Sequence, residues 1–197
     1  MDYGDGEKGV ALLNRGLPGN NVEGGVVMLS LLKCTALKEG YGEGGGWNFK
    51  TKTSDGYELG VQHEFEYALA PHQGDWRQAQ ISRRGMEFNR PLIALKVAKH
   101  PGRLPRRWSL VEVEGESLAI SALRHTPQGT VVRVYETEGR QEAGAGLRFA
   151  WPVVRAEETN LIEQEARSLS CEGKVLRFEI GPFEIKTFRV ALDPGGG

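Results

Sequence analysis

The sequence has little cysteine, no dominant sign of charge and no long hydrophobic run, and each shortage excludes a class of protein. Two cysteines stand in 197 residues, Cys34 and Cys171. Without a Cys-x-x-Cys pair they supply neither a disulfide framework nor the paired ligands of a structural zinc site. Cys34, which follows the apolar run Val26–Leu32, reads as a buried free thiol. Lys plus Arg number 25 against 26 Asp plus Glu, a formal net charge of −1. That excludes a nucleic-acid binder relying on a basic field, because phosphate affinity comes from cations that displace counterions. No apolar run approaches the roughly 18 residues of a membrane helix. The start, Met1-Asp2-Tyr3-Gly4-Asp5-Gly6-Glu7-Lys8, lacks the basic and apolar regions of a signal peptide. Together these features read as a soluble, cytoplasmic protein. Glycine is what abounds: 27 residues, about twice the usual share of roughly 7%. Such an excess points to the many tight turns of an all-β chain.

Short β-type runs bounded by Gly, Pro, Asn or Asp bear this out along the chain. In the first half they predict strands at Val10–Leu13, Val26–Lys33, Gln62–Ala70 and Ile93–Val97. Val26–Leu32 is apolar almost throughout, the pattern of a strand covered on both faces, whereas Gln62–Ala70 alternates like a half-buried antiparallel strand. One helix is predicted over Asp75–Asn89, where Trp76, Ala79, Arg83 and Met86 recur at spacings of three or four. The second half predicts strands at Ser109–Glu114, Leu118–Leu123, Thr130–Glu136, Leu147–Trp151, Arg155–Asn160, Lys174–Ile180 and Glu184–Leu192. Short strands at this spacing, with turn residues between them, make a β-sandwich. Pro101, Gly102 and Pro105 resist regular structure and mark a linker between the halves.

The residues that could carry chemistry do not assemble into a motif. Gly40, Gly42 and Gly45 fit Gly-x-Gly-x-x-Gly, but Trp47-Asn48-Phe49 follows where a dinucleotide site needs a helix start. His63, His72, His100 and His125 form no metal-type pair. Glu64 and Glu66 share a face of the predicted strand, roughly 7 Å apart by strand rise. Paired-carboxylate glycoside hydrolysis with retention needs about 5–5.5 Å across a substrate, so a solvated outer face explains the pair better. Trp47, Trp76, Trp108 and Trp151 read as core fillers rather than sugar platforms. No active site is visible in the residues themselves.

Longer segments carry more information. They are Gly9-Val10-Ala11-Leu12-Leu13-Asn14-Arg15-Gly16-Leu17-Pro18; His63-Glu64-Phe65-Glu66-Tyr67-Ala68-Leu69-Ala70-Pro71-His72 with Gly74-Asp75-Trp76; Phe88-Asn89 before Pro91-Leu92; Val134-Tyr135-Glu136; Glu158-Thr159-Asn160-Leu161-Ile162-Glu163; and Pro182-Phe183-Glu184-Ile185-Lys186-Thr187-Phe188-Arg189-Val190. In this order, from Gly9 to Leu192, they resemble the C-terminal β-domains of the family-38 glycoside hydrolases, the α-mannosidases. The resemblance implies an all-β chain. Residues 1–100 would be part of a galactose-mutarotase-like supersandwich, 101–107 a linker, 108–193 a small immunoglobulin-like sandwich and 194–197 a tail.

It further implies the non-catalytic C-terminal portion of a retaining α-mannosidase, inactive alone, whose Asp nucleophile and zinc belong to an N-terminal domain that nothing here matches. The implied partners are that catalytic domain and a mannose-containing glycan or mannoside. Asn14, Arg15 and Lys33 are the substrate-side candidates, because a basic residue follows the corresponding strand in relatives. Strands ahead of Gly9 in relatives imply an open edge at Val10–Leu13 or Val26–Leu32, and with it a homo-oligomer formed through the first half. A stand-alone carbohydrate-binding or protein-interaction sandwich is the alternative reading.

Overall fold

The computed structural model describes residues 1–32, 62–102 and 104–195, which fall into two units, Met1–Leu92 and Ile93–Gly197. In the first unit β1 (Asp2–Gly4), β2 (Lys8–Asn14), β3 (Asn20–Glu23), β4 (Val26–Leu29) and β5 (Tyr67–Gln73) precede one helix, α1 (Ile81–Asn89). An antiparallel sheet runs in the order β1-β2-β5, and β3 and β4 form a separate hairpin. The alternation of β2 divides its side chains between two faces. Ala11 and Leu13 pack with Ala70 against Trp76, Ala79 and Ile81, which is how α1 is held to the sheet. Tyr67 and Leu69, on the other face, are more than half exposed.

This arrangement corrects several expectations. Val10–Leu13 is no open edge: β2 is the central strand, with Asp2 opposite Ala11 on one side and Leu69 opposite Leu12 on the other. Within Val26–Leu32 the strand covers only Val26–Leu29, and Val26 and Leu32 are exposed rather than covered on both faces. Ile93–Val97 has the alternation of a strand yet lies outside every strand of the described residues, since a strand needs a partner as well as a pattern. The helix is shorter than Asp75–Asn89. Asp75 accepts N–H bonds from Arg77 and Gln78 (3.0 and 2.9 Å) and so caps an isolated turn. Gln80, at φ 52°, then breaks the backbone before the helix proper begins.

A histidine buttons the sheet together. His72 Nε2 lies 2.7 Å from Asp2 Oδ1 with its ring 2% exposed, linking β5 to β1 across β2. Gly9 makes room, because a Cβ there would sit 2.7 Å from the imidazole. The Asp2 carboxylate raises the His72 pKa above 6.5. The pair therefore stabilises the first unit fully below the unfolded value of about 6.5, and the contribution is lost as pH rises through the raised folded value. We expect the His72 ring to titrate by NMR above its ordinary range, and to return to that range in Asp2→Asn. Unchanged titration in that variant would remove Asp2 as the cause.

The second unit is a sandwich. Its strands are β6 (Val111–Glu114), β7 (Leu118–Thr126), β8 (Gly129–Glu136), β9 (Glu142–Phe149), β10 (Val153–Thr159), β11 (Arg167–Leu169), β12 (Val175–Ile180) and β13 (Ile185–Leu192). A five-stranded sheet in the order β11-β10-β13-β8-β7 faces a three-stranded sheet, β12-β9-β6. Between them lie Val132, Val134, Ala156, Phe188 and Val190 from one sheet, and Leu147, Phe149, Leu176, Phe178 and Ile180 from the other. Phe178 and Phe188 meet at 4.6 Å between ring centroids, a favoured tilted pairing. The β7–β8 turn closes at Gly129, φ 138°, whose missing Cβ would come 2.5 Å from the Val190 carbonyl. Only glycine allows β8 to approach β13 that closely. Among the described residues the protein is thus mostly strand with one short helix.

Candidate functional site

Two of the three substrate-side candidates stand where β2 runs out. Asn14 is the last residue of β2, opposite Tyr67, and Arg15 begins the turn after it. Asn14 Oδ1 accepts the Leu17 N–H at 3.4 Å, which shapes that turn. Its backbone carbonyl accepts Asn89 Nδ2 at 2.9 Å, and the same amide also donates to the Gly85 carbonyl. Asn89 thereby fastens the end of α1 to the end of β2. Asn14 lines a hollow of about 520 Å³ together with Trp76, Ser82, Gly85 and Asn89.

Arg15 does not line that hollow. Its guanidinium pairs with Glu66 and donates to the Phe88 carbonyl, and it rests 4.9 Å from the Phe88 ring centroid. The Arg15 N–H also donates to the Glu66 carbonyl at 3.1 Å. Three elements converge on one side chain: the β2 terminus, the segment before β5, and the last turn of α1. Arg15 thereby clasps these three elements together, with Glu66 as its ion-pair partner. Lys33 lies outside the described residues, as do Cys34, Trp47 and the Gly40–Gly45 segment.

The remaining candidates have local partners. His63 stacks on Phe65 at 6.2 Å, His100 Nδ1 sits 3.0 Å from its neighbour's carbonyl, and Trp108 packs on Trp151 at 5.7 Å. Trp76 has one face against the small core and carries the Arg77 guanidinium 4.3 Å from its ring. Cys171 is a half-buried free thiol donating to the Val153 carbonyl at 3.3 Å. No three His, Cys, Asp or Glu side chains gather as a metal site among the described residues. No helix of the described residues is long and apolar enough to cross a membrane.

The sequence singled out Asn14 and Arg15 but not their fixing groups. Glu66 stands 51 positions from Arg15 and Asn89 75 positions from Asn14, and only the pairing of β2 with β5 and its packing on α1 bring them together. The one available signal was the Phe88-Asn89 pair, an amide at the end of an apolar helical pattern.

Comparison with known proteins places this geometry. Residues 117–188 match the glycosyl hydrolases family 38 C-terminal beta sandwich domain. The chain is 28% identical to α-mannosidase 2C1 of Mus musculus over 98% of its own length and 17% of that protein's. It is 25% identical to α-mannosidase G of Dictyostelium discoideum, over 95% of the chain and 16% of that protein. The crystal structure of an α-mannosidase from Enterococcus faecalis superposes with a TM-score of 0.69 at 23% identity, covering 95% of this chain and 20% of that one. The chain thus spans about a sixth of the curated relatives it matches, while nearly all of it is matched. Residues 117–188 are thus similar to the glycosyl hydrolases family 38 C-terminal beta sandwich domain, and nearly the whole chain is similar to a small part of proteins named α-mannosidase.

Proposed function

We propose that this chain acts as the non-catalytic C-terminal portion of an α-mannosidase, supporting a catalytic domain that holds the nucleophile and the zinc. The observation that carries the proposal is the asymmetry of coverage: 98% of the chain aligns with α-mannosidase 2C1, but only 17% of that enzyme aligns with the chain. A segment kept nearly whole inside a much longer glycosidase is a scaffold or a cleft wall rather than a full reaction centre. The side chains agree, since the acids, histidines and basic groups described above are ion-paired, stacked or dispersed. In this proposal residues 1–100 continue a supersandwich, 101–107 link it to the small sandwich at 108–193, and the working compartment is the cytoplasm.

The end of β2 is the part proposed to face substrate. Asn14 and Lys33 would supply polar groups to a mannose-containing glycan, with Arg15 fixing the turn that presents Asn14. Arg15→Ala, made in an enzyme that contains this chain, should then act through the turn, raising KM or lowering stability without abolishing turnover.

The direct test is activity. The isolated chain, assayed with an aryl α-mannoside with and without added zinc, should give no turnover above buffer. Sustained hydrolysis that tracks this chain through purification would overturn the proposal and require a reaction centre among its own residues.

A further inference from the structure

We propose that the second unit binds a neutral hexose-type sugar in a hollow lined from both of its sheets, by β10, β11 and β13 on one side and β12 on the other. The hollow measures about 590 Å³, the size of a small-molecule site. An ion pair sits inside it. Glu158 stands opposite Phe188 and Lys186 opposite Val134, two residues of the core between the sheets. Residues directly opposite share a face, so both charged side chains point to the core side of their sheet. They meet at 2.6 Å, with the Lys186 side chain only 15% exposed. Charges placed there are costly unless every donor and acceptor is met. These are not all met. Lys186 also reaches Glu184 at 3.4 Å, which leaves one of its three N–H donors over. Glu158 accepts through Oε1 alone among the described residues. Arg167 stands opposite Glu158 in the β10–β11 register, yet takes no part in the pair.

The chemistry of the lining selects the occupant. Three Glu stand against two Arg and one Lys, so the hollow has no net charge with which to draw in an anion or a cation. The same charged side chains disfavour another polypeptide, because the cores of protein interfaces are depleted of charge. A small neutral molecule dense in hydroxyls fits. Each hydroxyl donates to one group and accepts from another. It therefore bridges a carboxylate and a cation that stand opposite without pairing, as Glu158 and Arg167 do, and charge assistance strengthens both bonds. Leu169 and Phe178 line the same hollow and give the C–H face of a pyranose ring an apolar wall.

The test is an NMR titration of the full chain with methyl α-mannoside, methyl β-glucoside and methyl β-galactoside. At least one of them should shift the amide signals of β10, β11 and β12 with a Kd of about 1 mM, the affinity of a ligand of about a dozen heavy atoms at ordinary efficiency. Arg167→Ala and Glu179→Ala should each weaken that binding about tenfold, the loss of one charge-assisted hydrogen bond. Both residues are exposed, so the variants keep the fold, which unchanged signals away from the hollow verify. Sulfate in place of the sugar should leave the hollow's signals where they are. Turnover is not read, so this result and that of the activity assay stand or fall separately. No shifts at the hollow far above the expected Kd overturn the proposal and assign the space to another polypeptide. Shifts that neither substitution weakens overturn it by placing the sugar elsewhere, and sulfate shifts abolished by Arg167→Ala overturn it by making the ligand an anion.

Discussion

Phe188→Ala is expected to cost the second unit about 3–5 kcal/mol, the range for emptying an aromatic site in a packed core. Phe188 is fully buried in β13 and faces the opposite sheet, where its ring meets Phe178 at 4.6 Å. Its strand is paired on both sides, with β8 and with β10, so the backbone cannot collapse into the space that the ring leaves. The loss combines the transfer energy of the ring, the cavity left behind and the contact with Phe178. Domains of this size have roughly 5–15 kcal/mol in total, so the variant should sit near the edge of folding. Urea unfolding of the full chain measures it, with the midpoint falling and the slope unchanged. Leu161→Ala is the matched control: Leu161 is 54% exposed, and its loss should stay within about 0.5 kcal/mol. Equal effects from the two substitutions would mean that the core between the sheets does not hold this unit together.

The second unit was legible in the sequence because its strands are buried on one face only. In β12, Leu176, Phe178 and Ile180 are buried while Arg177 and Glu179 are exposed, and that alternation is visible in the bare string. The three-residue strands β1 (Asp-Tyr-Gly) and β11 (Arg-Ser-Leu) were not legible. They are too short to show a period, and each exists because a longer neighbour offers it an edge. Ile93–Val97 fails in the opposite sense, having the period but no paired strand among the described residues. The candidate site was legible in part. The resemblance marked Asn14 and Arg15, but the groups that hold them are Glu66, Phe88 and Asn89, which local patterns cannot connect to them. Arg15, expected on the substrate side, pairs with the Glu66 carboxylate and the Phe88 carbonyl at the end of α1. Among the described residues, the apolar run after Gly25 misled because its strand is half of an exposed two-stranded hairpin rather than part of a covered sheet.

Glu136→Gln is expected to destabilise the second unit by about 2–4 kcal/mol at pH 7, and the difference should shrink in acid. Glu136 ends β8 and is 1% exposed. Its Oε1 accepts the Glu138 N–H at 2.8 Å, and its Oε2 accepts the N–H groups of Gly139 and Phe183 at 2.7 and 2.8 Å. One carboxylate therefore fixes the turn after β8 and ties it to the turn before β13, where Phe183 holds a left-handed φ of 55°. Burial alone would push this carboxyl up; donation from Phe183, Glu138 and the Ser117 side chain outweighs it and holds the group at about 2, against 4.5 ordinarily. The folded value is the lower one, so the contribution is complete above about pH 4.5 and is lost as pH falls through about 2. A shift of that size corresponds to roughly 3 kcal/mol of linked stability. A neutral amide keeps one acceptor but turns an N–H₂ toward backbone donors, leaving at least one of them buried and unpaired. Wild type and variant should thus differ most near neutrality and converge as the wild-type carboxyl protonates. Equilibrium denaturation at pH 7, 4 and 2.5 measures both arms, and a gap that stays constant across these values would show that the carboxylate's charge does not hold the two turns.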